Sequence, residues 1–242
     1  MSEILNRKPV IWMAGDSTMQ SYSEEKRPQW GWGEKVLELI EGEEQKKGLV
    51  PTISHREDCP FEQEKRYEGS RYIVDNCAMA GRSSKTFREE GRLKDIEEHI
   101  KQGDYLLIQF GHNDAGAEKP ERYVPLEKFK EALEYYVKVA LDNGAMPIFV
   151  SSIVLCPGQE SETGAAGEIS RLLPTYGSVM EKYAEELGIS YIDVNNFTRE
   201  YIRDMTEEQA LELYLPDHVH LVEKGALAYA KLAVEELKKI LR

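Results

Sequence analysis

The feature that most constrains the fold of this chain is an alternation of five short apolar runs with longer amphipathic stretches. The runs lie at residues 10–14, 72–77, 105–110, 147–151 and 189–193. Each is rich in β-branched or aromatic residues, which is typical of strands that are buried on both faces. Strands that alternate with helices pair in parallel through right-handed crossovers. The pattern therefore predicts an α/β protein, a three-layer α/β/α sandwich around a five-stranded parallel sheet.

The stretches between the runs have helical periodicity. From Leu126 to Leu141 the apolar residues recur at spacings of three and four, and Asn143-Gly144 then supplies a stop. The last stretch of the chain repeats the pattern, with glutamate and lysine opposite its apolar face. A chain of 242 residues can bury one sizeable core, so we expect a single domain over residues 1–242.

The charge balance and the lack of long apolar stretches exclude two classes of partner. The chain has 31 Lys+Arg and 44 Asp+Glu, a formal net charge of −13. Binding to a phosphate backbone needs clustered cations, whereas the basic residues here are interleaved with glutamates, so we expect no nucleic-acid partner. No stretch approaches the roughly 20 apolar residues of a membrane-spanning helix, so we expect no membrane partner either.

The cysteines and the N-terminal residues favour a cytoplasmic location. Cys59, Cys77 and Cys156 are an odd number at wide spacing, which fits neither a disulfide framework nor a C-x-x-C metal pair. Reduced thiols are the simpler interpretation. Residues 1–10 carry three charges and no apolar run that a secretory signal would need.

Two long segments interrupt the alternation. Residues 41–71 are polar, contain two prolines, and are interpreted as a solvated surface insertion. Residues 156–174 carry three glycines and leave the carboxyl end of the fourth predicted strand. Ligands of parallel sheets bind at that edge, so we expect the second segment to be a loop beside the cleft.

Four polar motifs follow the predicted strands or precede the last helix. They are GDST at residues 15–18, AGRSS at 80–84, GHND at 111–114 and LPDHVHL at 215–221. Each alone has an ordinary explanation as a turn or a helix cap. His218 and His220 also form an H-x-H pair that can bind a metal, although no third ligand lies nearby in the sequence.

Together the motifs supply what acyl transfer requires. Ser17 can act as a nucleophile, and Asp217 and His220 are three residues apart, close enough for one turn to present both. Gly81 and Asn113 offer donors for a developing oxyanion. The order Ser, Asp, His is that of α/β-hydrolases, but the chain has no G-x-S-x-G nucleophile elbow, so this triad must be built differently.

These four motifs, in this order, resemble those of the SGNH (GDSL-type) hydrolase family, in particular its rhamnogalacturonan-acetylesterase-like branch. Threonine in GDST, followed by WGWG at residues 30–33, is typical of the carbohydrate-esterase members. The resemblance implies a flavodoxin-like fold. It also implies a catalytic triad of Ser17, Asp217 and His220, and an oxyanion hole formed by the N–H groups of Ser17 and Gly81 and the side chain of Asn113.

The resemblance further implies an acetyl ester of a plant cell-wall-derived oligosaccharide, or another small-molecule ester, as substrate. The mechanism that the resemblance implies requires no metal or organic cofactor. Trp30 and Trp32 can stack on a sugar, and Arg82 can bind a uronate, but core packing and a salt bridge are the simpler roles. A thioesterase or lysophospholipase with the same triad, and a non-enzymatic flavodoxin-like binding domain, stay open as alternatives. The sequence also allows a homo-oligomer.

Overall fold

A computed structural model of the chain describes residues 7–42, 52–157 and 165–241. The strands in these segments are β1 (Val10–Gly15), β2 (Thr52–Ser54), β3 (Lys65–Glu68), β4 (Ile73–Asn76), β5 (Tyr105–Gln109), β6 (Met146–Val150) and β7 (Ser190–Ile192). The α-helices are α1 (Val36–Ile40), α2 (Ser84–Glu89), α3 (Arg92–His99), α4 (Leu126–Asp142), α5 (Ala165–Leu187), α6 (Val194–Ile202), α7 (Glu207–Leu211) and α8 (Glu223–Ile240), and two short 3-10 helices lie at Glu24–Lys26 and Trp32–Lys35. None of these helices is long and apolar enough to cross a membrane.

The strands form one sheet in the order β2-β3-β4-β1-β5-β6-β7. All five predicted strands are present, and β4, β1, β5, β6 and β7 pair in parallel as expected. The predicted number of strands was wrong, because β2 and β3 extend the β4 edge in antiparallel pairing. The α/β sandwich itself is confirmed.

The two additional strands come from the segment interpreted as a solvated insertion. All three residues of β2 are exposed, and only Tyr67 of β3 is buried. Strands that bury so little have no clear hydrophobic alternation, which explains why the sequence did not indicate them. Residues 43–51 of the segment lie outside the described residues.

Helices cover both faces of the sheet and divide the core in two. Because successive side chains of a strand point to opposite faces, Ile11 and Met13 of β1 pack on one side, and Trp12 and Ala14 on the other. Helices α1, α6 and α8 complete the first half of the core, and helices α2 to α5 complete the second. Strands β1 and β5 therefore lie at the centre of the sheet, between these two apolar layers.

The prediction of a loop over residues 156–174 is wrong for its second half, because α5 begins at Ala165. The buried residues of this first part of the helix include Gly167 and Ser170, which repeat at helical spacing but are too small or polar to give a hydrophobic signal. Pro174 also lies inside the helix. Residues 158–164 lie outside the described part of the chain.

Candidate active site

Ser17, His220 and Asp217 form a continuous chain of hydrogen bonds at the carboxyl edge of the sheet. The Oγ atom of Ser17 lies 2.9 Å from Nε2 of His220, and Nδ1 of His220 lies 2.7 Å from Oδ2 of Asp217. Ser17 follows β1 directly, whereas the other two residues precede α8, about 200 residues later in the sequence. The structure thus brings the three predicted residues together in the order that a nucleophile, a base and an acidic partner require.

The turn at residues 217–220 fixes the imidazole ring. The second carboxylate oxygen of Asp217, Oδ1, accepts hydrogen bonds from the backbone N–H groups of Val219 and His220, at 3.0 and 2.9 Å. His218 adopts a left-handed conformation with φ of 63°, which closes the turn. Partial burial alone would raise the pKa of Asp217, but the hydrogen bonds from His220 and Val219 outweigh it and lower this pKa. Asp217 is therefore held as a carboxylate against the ring.

Three N–H donors on the loops that follow β1, β4 and β5 are not used within the described structure. Neither the backbone N–H of Ser17 nor that of Gly81 has an acceptor among the described residues. The side-chain amide of Asn113 donates one hydrogen to the carbonyl of Arg82 at 2.8 Å, and its second hydrogen has no acceptor among those same residues. These are the three groups predicted to form an oxyanion hole. Gly81 has φ of +78°, a conformation that side chains disfavour.

A buried pair that the sequence analysis did not identify connects the Ser17 loop to the Asn113 loop. Asp16 accepts hydrogen bonds from the N–H and hydroxyl of Thr18 through Oδ1, and its Oδ2 lies 3.1 Å from Nδ1 of His112. Burial would raise the pKa of Asp16, but His112 and Thr18 lower it overall. The other ring nitrogen of His112 faces the carbonyl of Ile153 at 3.1 Å. Both nitrogens therefore face acceptors, so the pair holds the two loops in register.

Asp114 was considered only as a turn residue, but it connects the same loop to helix α2. Its Oδ1 accepts hydrogen bonds from both the backbone N–H and the hydroxyl of Ser84, the first residue of α2. Burial raises the pKa of Asp114 to about 7, although the bonds from Ser84 act in the opposite direction. The loop that carries Asn113 is thereby attached on both sides, through His112 and Asp114. Their adjacency to Asn113 in the GHND motif was the available signal.

The described residues do not form the metal pair considered from the sequence. In His220, Nδ1 contacts Asp217 and Nε2 contacts Ser17, so neither ring nitrogen is left for a metal. One group elsewhere has ligand atoms close together, namely Cys59, Glu64 and Asp95. Arginines already neutralise its two carboxylates, and burial raises the pKa of the Cys59 thiol to about 11. These protonated and paired groups do not suit a metal ion.

An open cleft of about 670 Å³ begins beside His220. Its lining includes Gln20 and Tyr22 from the loop after β1, and Gln63 and Lys65 from the inserted segment. Tyr22 also supports the site directly, because its hydroxyl donates to the carbonyl of Ser17 at 2.8 Å. The insertion is therefore part of the cleft and not only a solvated surface segment.

The three residues weighed as sugar contacts have structural partners. The guanidinium of Arg27 lies 3.3 Å from the ring centre of Trp30, and the Lys35 ammonium lies 4.0 Å from it. Trp32 is buried in the core. Arg82 forms a 2.7 Å salt bridge with Glu90. The simpler roles considered for Trp32 and Arg82 thus agree with the structure, and the ring of Trp30 is covered by cations.

A model of the GDSL-like lipase/acylhydrolase family matches residues 11–233. The chain belongs to this family. Its Bacillus subtilis relatives include the rhamnogalacturonan acetylesterase RhgT, which is 31% identical over 97% of this chain and 92% of its own length. A rhamnogalacturonan acetylesterase from Emericella nidulans is 22% identical over 91% of this chain and 81% of its own length. The resemblance inferred from the four motifs is confirmed.

Solved structures show that this GDSL family member shares its fold with known proteins. The Bacillus subtilis protein YxiM superposes with a TM-score of 0.73 and 25% identity over 97% of this chain, which spans 57% of that protein. The acetylxylan esterase Axe2 from Geobacillus stearothermophilus superposes with a TM-score of 0.65 and 15% identity, over 96% of this chain and 94% of its own. Family membership favours ester hydrolysis over the non-enzymatic binding domain considered from the sequence.

Proposed function

We propose that this protein is a serine esterase that removes acetyl groups from esterified carbohydrate through an acyl-serine intermediate. The observation that carries the proposal is the Ser17–His220–Asp217 hydrogen-bond chain, together with three unused N–H donors on the loops at the same end of the sheet. Relatives named as rhamnogalacturonan acetylesterases, similar over nearly the whole chain, support a carbohydrate acetyl ester as the substrate. The cytoplasmic location stays a prediction.

In the proposed mechanism, Ser17 Oγ attacks the ester carbonyl while its proton passes to Nε2 of His220, which lies 2.9 Å away. Asp217 keeps the Nδ1 proton on the far side of the ring, so that Nε2 is free to accept, and it stabilises the imidazolium that forms. His220 then returns the proton to the leaving alcohol. A water molecule repeats the cycle on the acyl-serine and releases acetate.

The developing oxyanion would be bound by the N–H groups of Ser17 and Gly81 and by the free amide hydrogen of Asn113. The Asp16–His112 and Asp114–Ser84 contacts hold the loops that carry these donors. Donors positioned in advance need no reorganisation during the reaction, which is the main source of their effect on rate.

Acetate release from a panel of acetylated oligosaccharides tests this function. Wild type should release acetate, and Ser17→Ala should lose that activity. Ser178→Ala removes an exposed hydroxyl on α5 and serves as the matched control. Octanoyl esters and acyl-thioesters, assayed in parallel, separate the alternatives. A clear preference for either of those substrates over acetyl sugars, or full activity of Ser17→Ala, would contradict the proposal.

A further inference from the structure

The guanidinium of Arg122 has no partner in the described structure although it lies beside the site. Arg122 belongs to the loop between β5 and α4, the same loop that carries Asn113. No described residue accepts a hydrogen bond from its side chain or forms an ion pair with it, and its Nε is buried without an acceptor. A side chain added at Gly81 would place its Cβ 3.6 Å from Nη1 of Arg122.

This lack of a partner is not explained by a shortage of carboxylates. The chain has 44 acidic and 31 basic residues, and Glu118 and Glu121 lie in the same loop without pairing with Arg122. Two other arginines are neutralised, since Arg82 pairs with Glu90 and Arg27 pairs with Glu34. A buried donor that has no acceptor destabilises the folded state, and a charged one does so more strongly. An uncompensated cation is therefore maintained next to Gly81 at a cost in stability.

Glycine at position 81 places no side chain against this cation. A Cβ there would lie 3.6 Å from Nη1, so a larger residue would contact the guanidinium. The cleft beside His220 does not provide a competing positive surface, because its charged walls contain two lysines and two glutamates. Arg122 is thus a cation that lies next to Gly81, one of the proposed oxyanion donors.

We propose that Arg122 is a specificity-determining residue that binds a carboxylate carried by the ester substrate close to its acyl group. The inference rests on the proposed esterase function. A planar guanidinium binds a carboxylate through two parallel hydrogen bonds, which fixes position as well as charge. The oxyanion is already provided with three donors, so Arg122 contributes to substrate choice and not to the chemical step. The net charge of −13 does not oppose a contact made at such short range.

The test compares two substrates that differ in one charge, an O-acetylated methyl uronoside with a free carboxylate and the same compound as its methyl ester. Arg122→Gln should lose about 10–100-fold in kcat/KM on the carboxylate form, mostly through KM, because a hydrogen bond to a charged group contributes about 1.5–3 kcal/mol. The same variant should stay within about threefold of wild type on the methyl ester and on p-nitrophenyl acetate. Arg122→Lys should recover part of the loss, since it keeps the charge without the planar fork.

Arg203→Gln is the matched control, because it removes an equal charge from an exposed residue on the C-terminal side of α6. It should leave the preference between the two substrates unchanged. An equal loss on both substrates in Arg122→Gln would overturn the inference, since it would place Arg122 on the oxyanion or in folding. No loss on either substrate would also overturn it. In both cases p-nitrophenyl acetate hydrolysis that depends on Ser17 would leave the proposed esterase function standing.

Discussion

Replacing Asp217 by asparagine tests how the acidic residue of the triad acts. The amide oxygen of Asp217→Asn can still accept the two backbone hydrogen bonds from Val219 and His220, so the turn should keep its shape. The position now held by Oδ2, 2.7 Å from Nδ1 of His220, becomes an NH₂ donor. The ring must then accept a hydrogen bond at Nδ1 and carry its proton on Nε2, where it can no longer accept a proton from Ser17.

The size of the effect follows from the exposure of the carboxylate. In serine proteases with a buried triad aspartate, the same change lowers kcat by about 10⁴-fold. The side chain of Asp217 is 47% exposed, so water screens part of its interaction with the imidazolium. We therefore expect a loss of about 10³-fold in kcat, or about 4 kcal/mol of barrier, with a nearly unchanged KM.

Steady-state hydrolysis of p-nitrophenyl acetate measures this loss, and thermal unfolding checks that the variant is folded. Asp58→Asn is the matched control, because Asp58 contacts Nε2 of His99 at 2.9 Å on the exposed surface. It disrupts an Asp–His pair of similar geometry and should leave kcat unchanged. The account of Asp217 fails if Asp217→Asn retains kcat within about threefold of wild type, or if the control loses as much.

Three further predictions concern the oxyanion donors, the buried carboxyl and the core. Asn113→Ala should lower kcat for p-nitrophenyl acetate by about 10²–10³-fold, and a change confined to KM would contradict its role. Burial raises the pKa of Asp114 to about 7, above its unfolded value of 3.8. The folded state therefore holds the proton more tightly, and the stability linked to it is lost as the pH rises from about 4 to about 7, by up to about 1.4 kcal/mol per pH unit. Urea unfolding across this range should show a smaller decline for Asp114→Asn, and equal slopes would refute the assignment. The side chain of Trp32 is 1% exposed, so Trp32→Ala should lower the free energy of unfolding by about 3–5 kcal/mol in the same urea experiment. A loss below about 1 kcal/mol would show that the core repacks around the smaller side chain.

The parallel core of the sheet was predictable because its strands are buried on both faces and therefore stand out as apolar runs. The strands β2 and β3 were not, since their residues are mostly exposed. The start of α5 was hidden for a related reason, because buried glycine and serine at helical spacing produce no apolar stripe. The hydrophobic pattern of a sequence thus indicates which elements are buried, and it does not indicate elements that bury little apolar surface.

The candidate site was predictable in its residue types but not in its supporting contacts. Ser17, Asp217 and His220 stand in motifs whose chemistry is recognisable in the sequence, and the structure brings them within hydrogen-bond distance. The contact of Asp16 with His112 joins residues 96 positions apart, and nothing in either motif alone indicates the pairing. Likewise, only the fold shows that Arg122 lacks an acceptor among the described residues. Contacts between distant residues depend on how the loops pack in the folded protein, and a short sequence motif carries no information about that packing.

The proposed mechanism requires that Ser17 carry the acyl group during turnover. Mixing the protein with p-nitrophenyl acetate, quenching in acid within the first turnovers, and mapping acetylated peptides by mass spectrometry tests this requirement. We expect an acetyl group on the peptide that contains Ser17, which should be absent from Ser17→Ala and should be removed by further incubation in water. Turnover of the ester with no acetyl group on Ser17, together with undiminished activity of Ser17→Ala, would contradict it.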